Sequence, residues 1–157
     1  MKNMTTAPEV LCYVGNIAAC ENVVIAVLPG GLDEIYLKSN RKLAEQIVKN
    51  GGCLISEYPE RTKPQRYTYV QRDKIQAMLS NKVFVVDSEI DGGTMHTAEF
   101  AIKMAKPLGC LAEKDGKSSP KGNQYLIGRK VASAIFDTED LMKFVGQPEY
   151  EQFSLFE

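Results

Sequence analysis

The chain has 157 residues, 44% of them hydrophobic, and a formal net charge of −1 at pH 7. This length and apolar content suffice for one globular domain with a core. The near-neutral charge excludes a general attraction to nucleic acid or membrane, so a site for a polyanion has to be a local patch. A single histidine and four cysteines without Cys-x-x-Cys spacing argue against a metal site. With no secretory or membrane-spanning segment in view, the sequence predicts a reduced, cytoplasmic protein.

The first half of the chain predicts strands that alternate with a helix. The second apolar run ends at Gly30 and Gly31, and glycines at the end of a buried strand allow another group to approach the backbone closely. A helix is predicted from Asn40, which with Ser39 is a candidate N-cap, to the Gly51-Gly52 pair, which stands where a left-handed C-terminal cap is needed. The predicted strands of this half are residues 10–14, 23–28 and 53–56.

Residues 57–69 form a polar, proline-bearing loop that is long enough to suggest a function. A helix is predicted over residues 70–80. Basic side chains concentrate across this region, and Tyr67 and Tyr69 lie among them, as in a groove for single-stranded nucleic acid where cations meet phosphates and rings stack on bases. A solvated basic loop would show the same composition. The helix residues predicted to face inward are Ile75, Met78 and Leu79. The basic residues are Arg61, Lys63, Arg66, Arg72, Lys74 and Lys82, with Asp73 as the one acid among them.

The second half is organised around residues 82–106. A β-branched run is followed by Gly92, Gly93 and Thr94, and then by a helical pattern of alanines that stops before Pro107. A strand, a glycine turn and a helix N-terminus offer free N–H groups and a favourable dipole to an anion. Thr97 adds a hydroxyl at the same end. The alternative is that the glycines only make a tight turn.

Further strands are predicted at residues 108–111 and 134–136, and Thr138 is the predicted N-cap of a final helix, with Glu139 and Asp140 in its first turn. Strands and helices therefore alternate along the chain, which predicts an α/β layered domain with a mostly parallel sheet. Ligands of such domains bind at the carboxyl ends of the strands, where both glycine loops lie. Cys53 and Cys110 fall in apolar runs and are predicted to be small core residues.

Five short motifs follow one another between residues 23 and 145. They are Ile25-Ala26-Val27-Leu28 with Gly31-Leu32-Asp33, Ile55-Ser56-Glu57-Tyr58-Pro59, Tyr69 to Ser80 with Arg72 and Ala77, Gly93-Thr94 with Thr97-Ala98, and Gly122-Asn123 with Leu126-Ile127. In this order they resemble the motifs of the DprA (Smf) DNA-processing family. No single motif is specific, but the ordered set of five is.

The resemblance implies a three-layer Rossmann-like domain over residues 23–146, after a divergent segment 1–22 and before a flexible tail 147–157. It implies binding of single-stranded DNA, loading of a RecA-like recombinase and a homodimer, without a cofactor or catalytic residues. The predicted phosphate- or nucleic-acid-binding residues are Gly30, Gly31, Arg66, Arg72, Lys74, Gly92, Gly93, Thr94, Thr97, Lys121 and Asn123. The predicted base-stacking residues are Tyr67 and Tyr69.

The chain departs from the family motifs at several places. Asp73 stands where the family has Asn, Lys74 where it has Arg, and Gly92 where it has Ser. Residues 1–22 do not match the section that carries the family's Gly-Ser-Arg turn. Part of the DNA pocket is therefore expected to be absent or rebuilt.

A second hypothesis comes from the wider superfamily. Gly92-Gly93-Thr94 followed by Glu99 is a displaced form of the PGG-x-GT-x-x-E loop of the "lonely guy" phosphoribohydrolases, which carries a catalytic glutamate. This leaves open a nucleotide-binding sensor or a nucleotide N-glycoside hydrolase, with His96 able to carry a proton near neutral pH. Both residues also fit a solvated helix surface, so no catalytic set is predicted. A scaffold that keeps only protein contacts is the third hypothesis.

The last residues resemble the short peptide by which bacterial replication and repair proteins dock on the sliding clamp. A polar anchor and apolar side chains on a terminal segment suit a hydrophobic pocket on a partner. The alternative is that these apolar side chains fold back on their own domain. The clamp-like motif consists of Gln152, Phe153, Ser154, Leu155 and Phe156.

Overall fold

The computed structural model of the chain describes residues 12–15, 24–33, 35–36, 38–115 and 118–146. The chain divides into two compact units, residues 1–79 and residues 80–157. The clamp-like motif at residues 152–156 lies outside the described residues, as does most of the predicted divergent segment. The boundaries of those two predicted segments therefore stay predictions.

The first unit contains a three-stranded sheet with the order β1-β3-β2. Strand β1 (Cys12–Gly15) runs antiparallel to β3 (Cys53–Ser56), and β2 (Ile25–Val27) runs parallel to β3. All four residues of β3 are buried. A continuous apolar run such as this one is expected for a strand covered on both faces, and the three predicted strands of this half are confirmed.

Helix α1 (Arg41–Lys49) ends as predicted. Gly51 has a φ of 87°, and the N–H of Gly52 donates to the carbonyl of Ile47 at 2.9 Å, which closes the last turn around a left-handed residue. Asn40 occupies the N-cap position, as predicted, but does not act as a side-chain cap. Asn40 is the last residue of a preceding 3-10 turn (Lys38–Asn40), has helical dihedral angles and makes no side-chain capping bond, because a cap requires an extended backbone.

Helix α2 (Arg66–Leu79) begins earlier than the predicted start at residue 70, and the polar loop is shortened to residues 57–65. The cause is Thr68, which is fully buried. Its hydroxyl accepts from the N–H of Gln65 at 2.9 Å and donates to the carbonyl of Gln65 at 2.8 Å, so the first turn is fixed by a reciprocal bond that hydropathy does not report. Ile75 is buried as predicted, but Leu79, the last residue of the helix, is 54% exposed.

The second unit contains a parallel three-stranded sheet with the order β4-β5-β6. The strands are β4 (Val83–Val85), β5 (Leu108–Leu111) and β6 (Ser133–Ile135), and the helices are α3 (Thr94–Lys103), α4 (Lys121–Gly128) and α5 (Thr138–Val145). Each strand is followed by a helix, so the predicted α/β class with mostly parallel pairing is confirmed. The predicted cap at Thr138 is wrong, because Asp137 is the N-cap of α5 and its carboxylate accepts from the N–H of Asp140 at 3.0 Å. The strands of the described residues belong to two sheets, where the sequence predicted one.

Small side chains form much of the core of the second unit. Ala98 and Ala101 of α3 have no exposed surface, which lets the helix lie close to Val85 and Cys110 of the sheet. Burial raises the pKa of the Cys110 thiol to about 11, so that it stays protonated and inert. Cys53 is buried in the first unit as well, which confirms the prediction that both cysteines are core residues. No helix in the described ranges is long and apolar enough to cross a membrane.

Candidate functional site

The glycine loop of the first unit follows the carboxyl end of β2 and is crowded by the chain itself. A Cβ on Gly30 would lie 2.7 Å from the carbonyl oxygen of Thr62, and a Cβ on Gly31 would lie 2.8 Å from that of Pro59. The N–H of Gly31 donates to Thr62 at 2.9 Å, and the Ser56 hydroxyl donates to the Gly30 carbonyl at 2.7 Å. These glycines thus permit a close approach, as predicted, but the approaching backbone is that of residues 57–65.

A cavity of about 300 Å³ lies beside this loop. That volume is at the lower end of the range for small-molecule sites. Its wall combines glycine backbone, aromatic rings, a cation and several apolar side chains, which suits a flat ligand. Its polar, aromatic and glycine residues are Gly30, Gly31, Tyr36, Asn40, Tyr69 and Arg72, and Leu28, Pro29, Ile35 and Pro64 complete the lining.

Tyr69 and Arg72 form one wall of the cavity together. They lie one helical turn apart on α2, and the Arg72 guanidinium carbon is 5.6 Å from the centroid of the Tyr69 ring, within the range of a cation–π contact. The Nε of Arg72 also donates to the carboxylate of Asp73 at 2.9 Å. The Arg72 side chain is 26% exposed and that of Asp73 is 9% exposed, so the ion pair is largely shielded from water.

The other predicted residues of α2 lie nearer to solvent. Arg66 and Tyr67 are exposed in the first turn, Tyr67 by 62%, and Lys74 is half-buried. Lys74 lies near the carboxyl group of Glu57. Burial raises the pKa of Glu57, and the positive charge of Lys74 partly opposes that increase. Burial also raises the pKa of Tyr58, with further increases from Glu57 and Tyr67.

The glycine loop of the second unit is open at Gly93 but not at Gly92, where a Cβ would lie 3.0 Å from the carbonyl oxygen of Glu89. Gly93 is the N-cap of α3, and a Cβ there would meet nothing within 4 Å. The first turn of α3 holds no acidic residue, Thr94 is exposed, and Thr97 is half-buried. The N–H groups of Met95 and His96 already donate to the carbonyls of Gly92 and Gly93 at 3.0 Å. The described residues supply no acceptor to the N–H groups of Gly93 and Thr94, which are the ones an anion could reach.

Helix α4 begins in close contact with this loop. A Cβ on Gly122 would lie 2.5 Å from the carbonyl oxygen of Ser88, to which the N–H of Gly122 donates at 2.8 Å. Asn123 is fully buried, and its amide donates to carbonyls at the ends of β4 and β5, to Val86 at 3.0 Å and to Leu111 at 2.9 Å. Asn123 therefore links α4 to the ends of β4 and β5. Lys121 is exposed in the first turn of α4.

Within each unit, the structure brings most of the predicted residues together. The carboxyl edge of the second sheet gathers Gly92, Gly93, Thr94, Thr97, Lys121 and Asn123, and the first unit gathers Gly30, Gly31, Tyr69 and Arg72, with Arg66, Tyr67 and Lys74 elsewhere on α2. The acids of the second loop were not part of the prediction. Asp87, Glu89 and Asp91 are exposed just before Gly92, and their charges oppose the binding of a polyanion there.

The two residues of the hydrolase hypothesis are both on the surface of α3. His96 lies in the first turn and Glu99 in the second, and both are exposed. A general base for glycoside cleavage is expected to be shielded from water, since shielding raises its basicity. This placement does not favour the hydrolase hypothesis.

Comparison with known proteins identifies relatives of one kind. The model of the family described as DNA recombination-mediator protein A matches residues 17–146. The protein Smf of Synechocystis sp. is 44% identical over 122 residues, which cover 78% of this chain and 30% of the relative. The protein Smf of Escherichia coli is 30% identical over 121 residues, covering 77% and 32%, and the DNA processing protein DprA of Bacillus subtilis is 31% identical over 120 residues, covering 76% and 39%. The chain thus spans 30–39% of the length of these curated relatives.

Solved structures show the same likeness. DNA processing protein A of Helicobacter pylori, described for its single-stranded DNA binding mode, superposes with a TM-score of 0.70 and 26% identity over 77% of this chain and 55% of that one. DNA processing protein A of Streptococcus pneumoniae superposes with a TM-score of 0.68 and 25% identity over 77% of this chain and 42% of that one. The fold is therefore the α/β, Rossmann-like fold that the motifs predicted. Since the family match extends over residues 17–146, most of its length, this chain belongs to the DNA recombination-mediator protein A (DprA/Smf) family.

Proposed function

We propose that this protein binds single-stranded DNA as an accessory factor of DNA processing in recombination or transformation, without catalysing a reaction. The observation that carries the proposal is the open N-terminus of α3, where Gly93 faces empty space and no acid stands in the first turn. An anion bound there gains N–H donors and the positive end of the helix dipole. Support also comes from the H. pylori relative, whose structure is described for its single-stranded DNA binding mode.

Two kinds of contact are expected. In the second unit, a phosphate would take the N–H groups at Gly93 and Thr94, with the exposed Lys121 adding positive charge. In the first unit, the exposed ring of Tyr67 and the cavity-lining ring of Tyr69 would stack on bases, and Arg66 and Lys74 would approach phosphates. Phosphates supply the salt-dependent part of the affinity, and stacking supplies preference for unpaired strands.

Fluorescence anisotropy with a labelled oligonucleotide tests the proposal. Binding should be stronger for a single strand than for the corresponding duplex, and log K should fall linearly with log[salt] by about 0.7 for each phosphate contact. A mononucleotide should compete only weakly, because it offers a single phosphate and a single base. Equal affinity for duplex and single strand, or no salt dependence, would contradict the proposal.

Several finer expectations about partners belong to the same proposal. A DNA-processing factor would work in the cytoplasm and could load a RecA-like recombinase, form a homodimer, or reach a sliding clamp through residues 152–156. Light scattering at several concentrations tests the dimer, since an increase in mass with concentration would support it. Pull-down with a bacterial recombinase or clamp tests the other two.

A further inference from the structure

An acidic residue contacts Arg72, one of the predicted phosphate-binding residues of the first unit. Asp73 follows Arg72 in α2, is 7% exposed, and accepts a hydrogen bond from the Nε of Arg72 at 2.9 Å. The exposed fraction of the Arg72 side chain is 26%. Because the pair is close and partly shielded from water, the carboxylate cancels much of the field of the guanidinium in the cavity beside it.

Two aromatic rings line the cavity beside Arg72. The Arg72 guanidinium lies over the Tyr69 ring at 5.6 Å, and both line the cavity of about 300 Å³ together with Tyr36. A guanidinium is planar and stacks as well as it donates hydrogen bonds. A phosphate approaching Arg72 would also approach the Asp73 carboxylate, whereas an uncharged ring would not be repelled by that carboxylate.

We infer that Asp73 is an internal counter-ion that removes Arg72 from phosphate binding and leaves its guanidinium to act as a stacking surface. Asp73 is in this view a positioning residue, since it acts through Arg72. The inference rests on the proposed single-stranded DNA binding and refines it, because the sequence analysis assigned Arg72 to phosphates. Phosphate contacts then come from other cations, such as the exposed Arg66.

The test is the salt dependence of binding to a labelled oligothymidylate. Asp73→Asn keeps the shape of the side chain but frees one positive charge at Arg72. The slope of log K against log[salt] should therefore steepen by about 0.7, which corresponds to about fivefold tighter binding at 0.1 M salt. Arg72→Gln in the wild-type background should leave the slope unchanged, since its charge is already compensated, while affinity falls through lost stacking. The double variant should return to the wild-type slope.

The control is Glu45→Gln, which makes the same change in net charge on an exposed residue of α1. It should not alter the slope. A slope for Asp73→Asn that equals the control, or one that stays steep when Arg72 is also replaced, would overturn the inference. If Asp73→Asn fails to fold, Arg72→Gln alone decides: a slope reduced by about 0.7 would mean that Arg72 contacts a phosphate in the wild type.

The same experiment separates the inference from the proposed function. If the wild type does not bind the oligonucleotide but Asp73→Asn does, the proposed function is wrong for this chain, and only the neutralisation of Arg72 by Asp73 is supported. If neither protein binds, both are wrong. If both bind with equal slopes, only the inference is wrong.

Discussion

Among single residues, the glycines are of two kinds. At some positions the fold leaves no space for a side chain, and at others it does. A Cβ on Gly31 would lie 2.8 Å from a backbone oxygen and a Cβ on Gly122 would lie 2.5 Å from one, so a side chain at either position would force the chain to shift. Gly93 and Gly128 would meet nothing within 4 Å. A glycine that packing does not require, at a helix N-terminus, is the better candidate for ligand contact.

Substitution of Gly93 by Val should abolish DNA contact at α3 and spare the fold. The φ of −57° is accessible to Val, so the unfolding free energy should fall by about 1 kcal/mol or less, the usual cost of a poor N-cap. Affinity should fall about tenfold or more, because a charge-assisted hydrogen bond contributes about 1.5–3 kcal/mol. Urea denaturation and anisotropy measure the two effects. Gly128→Val is the matched control, and equal affinities of the two variants would place the site elsewhere.

Glu57 predicts a pH-dependent effect on stability. Burial raises its pKa above the usual 4.5 despite the opposing charge of Lys74, so the ionised carboxylate is less favourable in the folded state than in the unfolded one. A raised folded pKa contributes stability below the unfolded pKa, and that contribution is lost as the pH rises through the folded pKa. Glu57→Gln should therefore raise Tm more at pH 7 than at pH 4. The same increase at both pH values would contradict this explanation.

At the scale of elements, the start of α2 depends on one side chain. The Thr68 hydroxyl bonds both the N–H and the carbonyl of Gln65, and it does so with no exposed surface. This bond extends the helix to Arg66 and thereby places Arg66 and Tyr67 on a helical surface instead of a loop. The Thr68 bond therefore sets where Arg66 and Tyr67 lie on the candidate DNA-binding surface.

Thr68→Val tests that link, because Val has the same shape without the hydroxyl. The variant should lose about 0.5–2 kcal/mol of unfolding free energy, since the N–H of Gln65 is left without its acceptor. Hydrogen exchange should show faster exchange in the first turn of α2 and unchanged exchange in α3. Thr68→Ser, which keeps the hydroxyl, should protect that turn as well as the wild type does. A first turn that stays protected in Thr68→Val would contradict the capping role.

At the scale of the whole molecule, a net charge of −1 means that DNA affinity has to come from local features. Positive charge is concentrated on α2, whereas Asp87, Glu89 and Asp91 stand beside the second glycine loop. The field of the molecule therefore gives little long-range attraction, and affinity should depend on short-range contacts and fall steeply with salt.

The tail gives a prediction for the whole chain. If residues 152–156 are a clamp peptide, truncation after Pro148 should leave Tm nearly unchanged and eliminate binding to a bacterial sliding clamp. If Phe153, Leu155 and Phe156 are core residues instead, their removal should cost about 1.5–3 kcal/mol for each side chain. Calorimetry and a clamp pull-down measure both quantities on the intact and shortened chains. A large fall in Tm, with no clamp binding by the intact chain, would rule out the clamp peptide.

Local patterns were enough to predict much of the fold. The apolar run at residues 53–56 and the glycine pair after α1 specify a strand and a helix end through neighbouring residues alone, and both are confirmed. The start of α2 was not predictable in this way, because a threonine bond to Gln65 has no hydropathy signal. The ordered motifs likewise predicted the family, which the match over residues 17–146 confirms.

The sequence by itself determined the α/β class, the alternation of elements and the family, because each depends on spacing along the chain. Only the tertiary structure decided which glycine loop is open. Gly30-Gly31 and Gly92-Gly93 show the same local pattern, but the first pair faces carbonyl oxygens of Thr62 and Pro59, about thirty residues further along the chain, whereas Gly93 faces empty space. Tertiary structure likewise set Asp73 against Arg72 at 2.9 Å in a shielded site. Adjacency in the sequence does not fix such a contact, because it depends on the rotamers and the burial that surrounding elements impose.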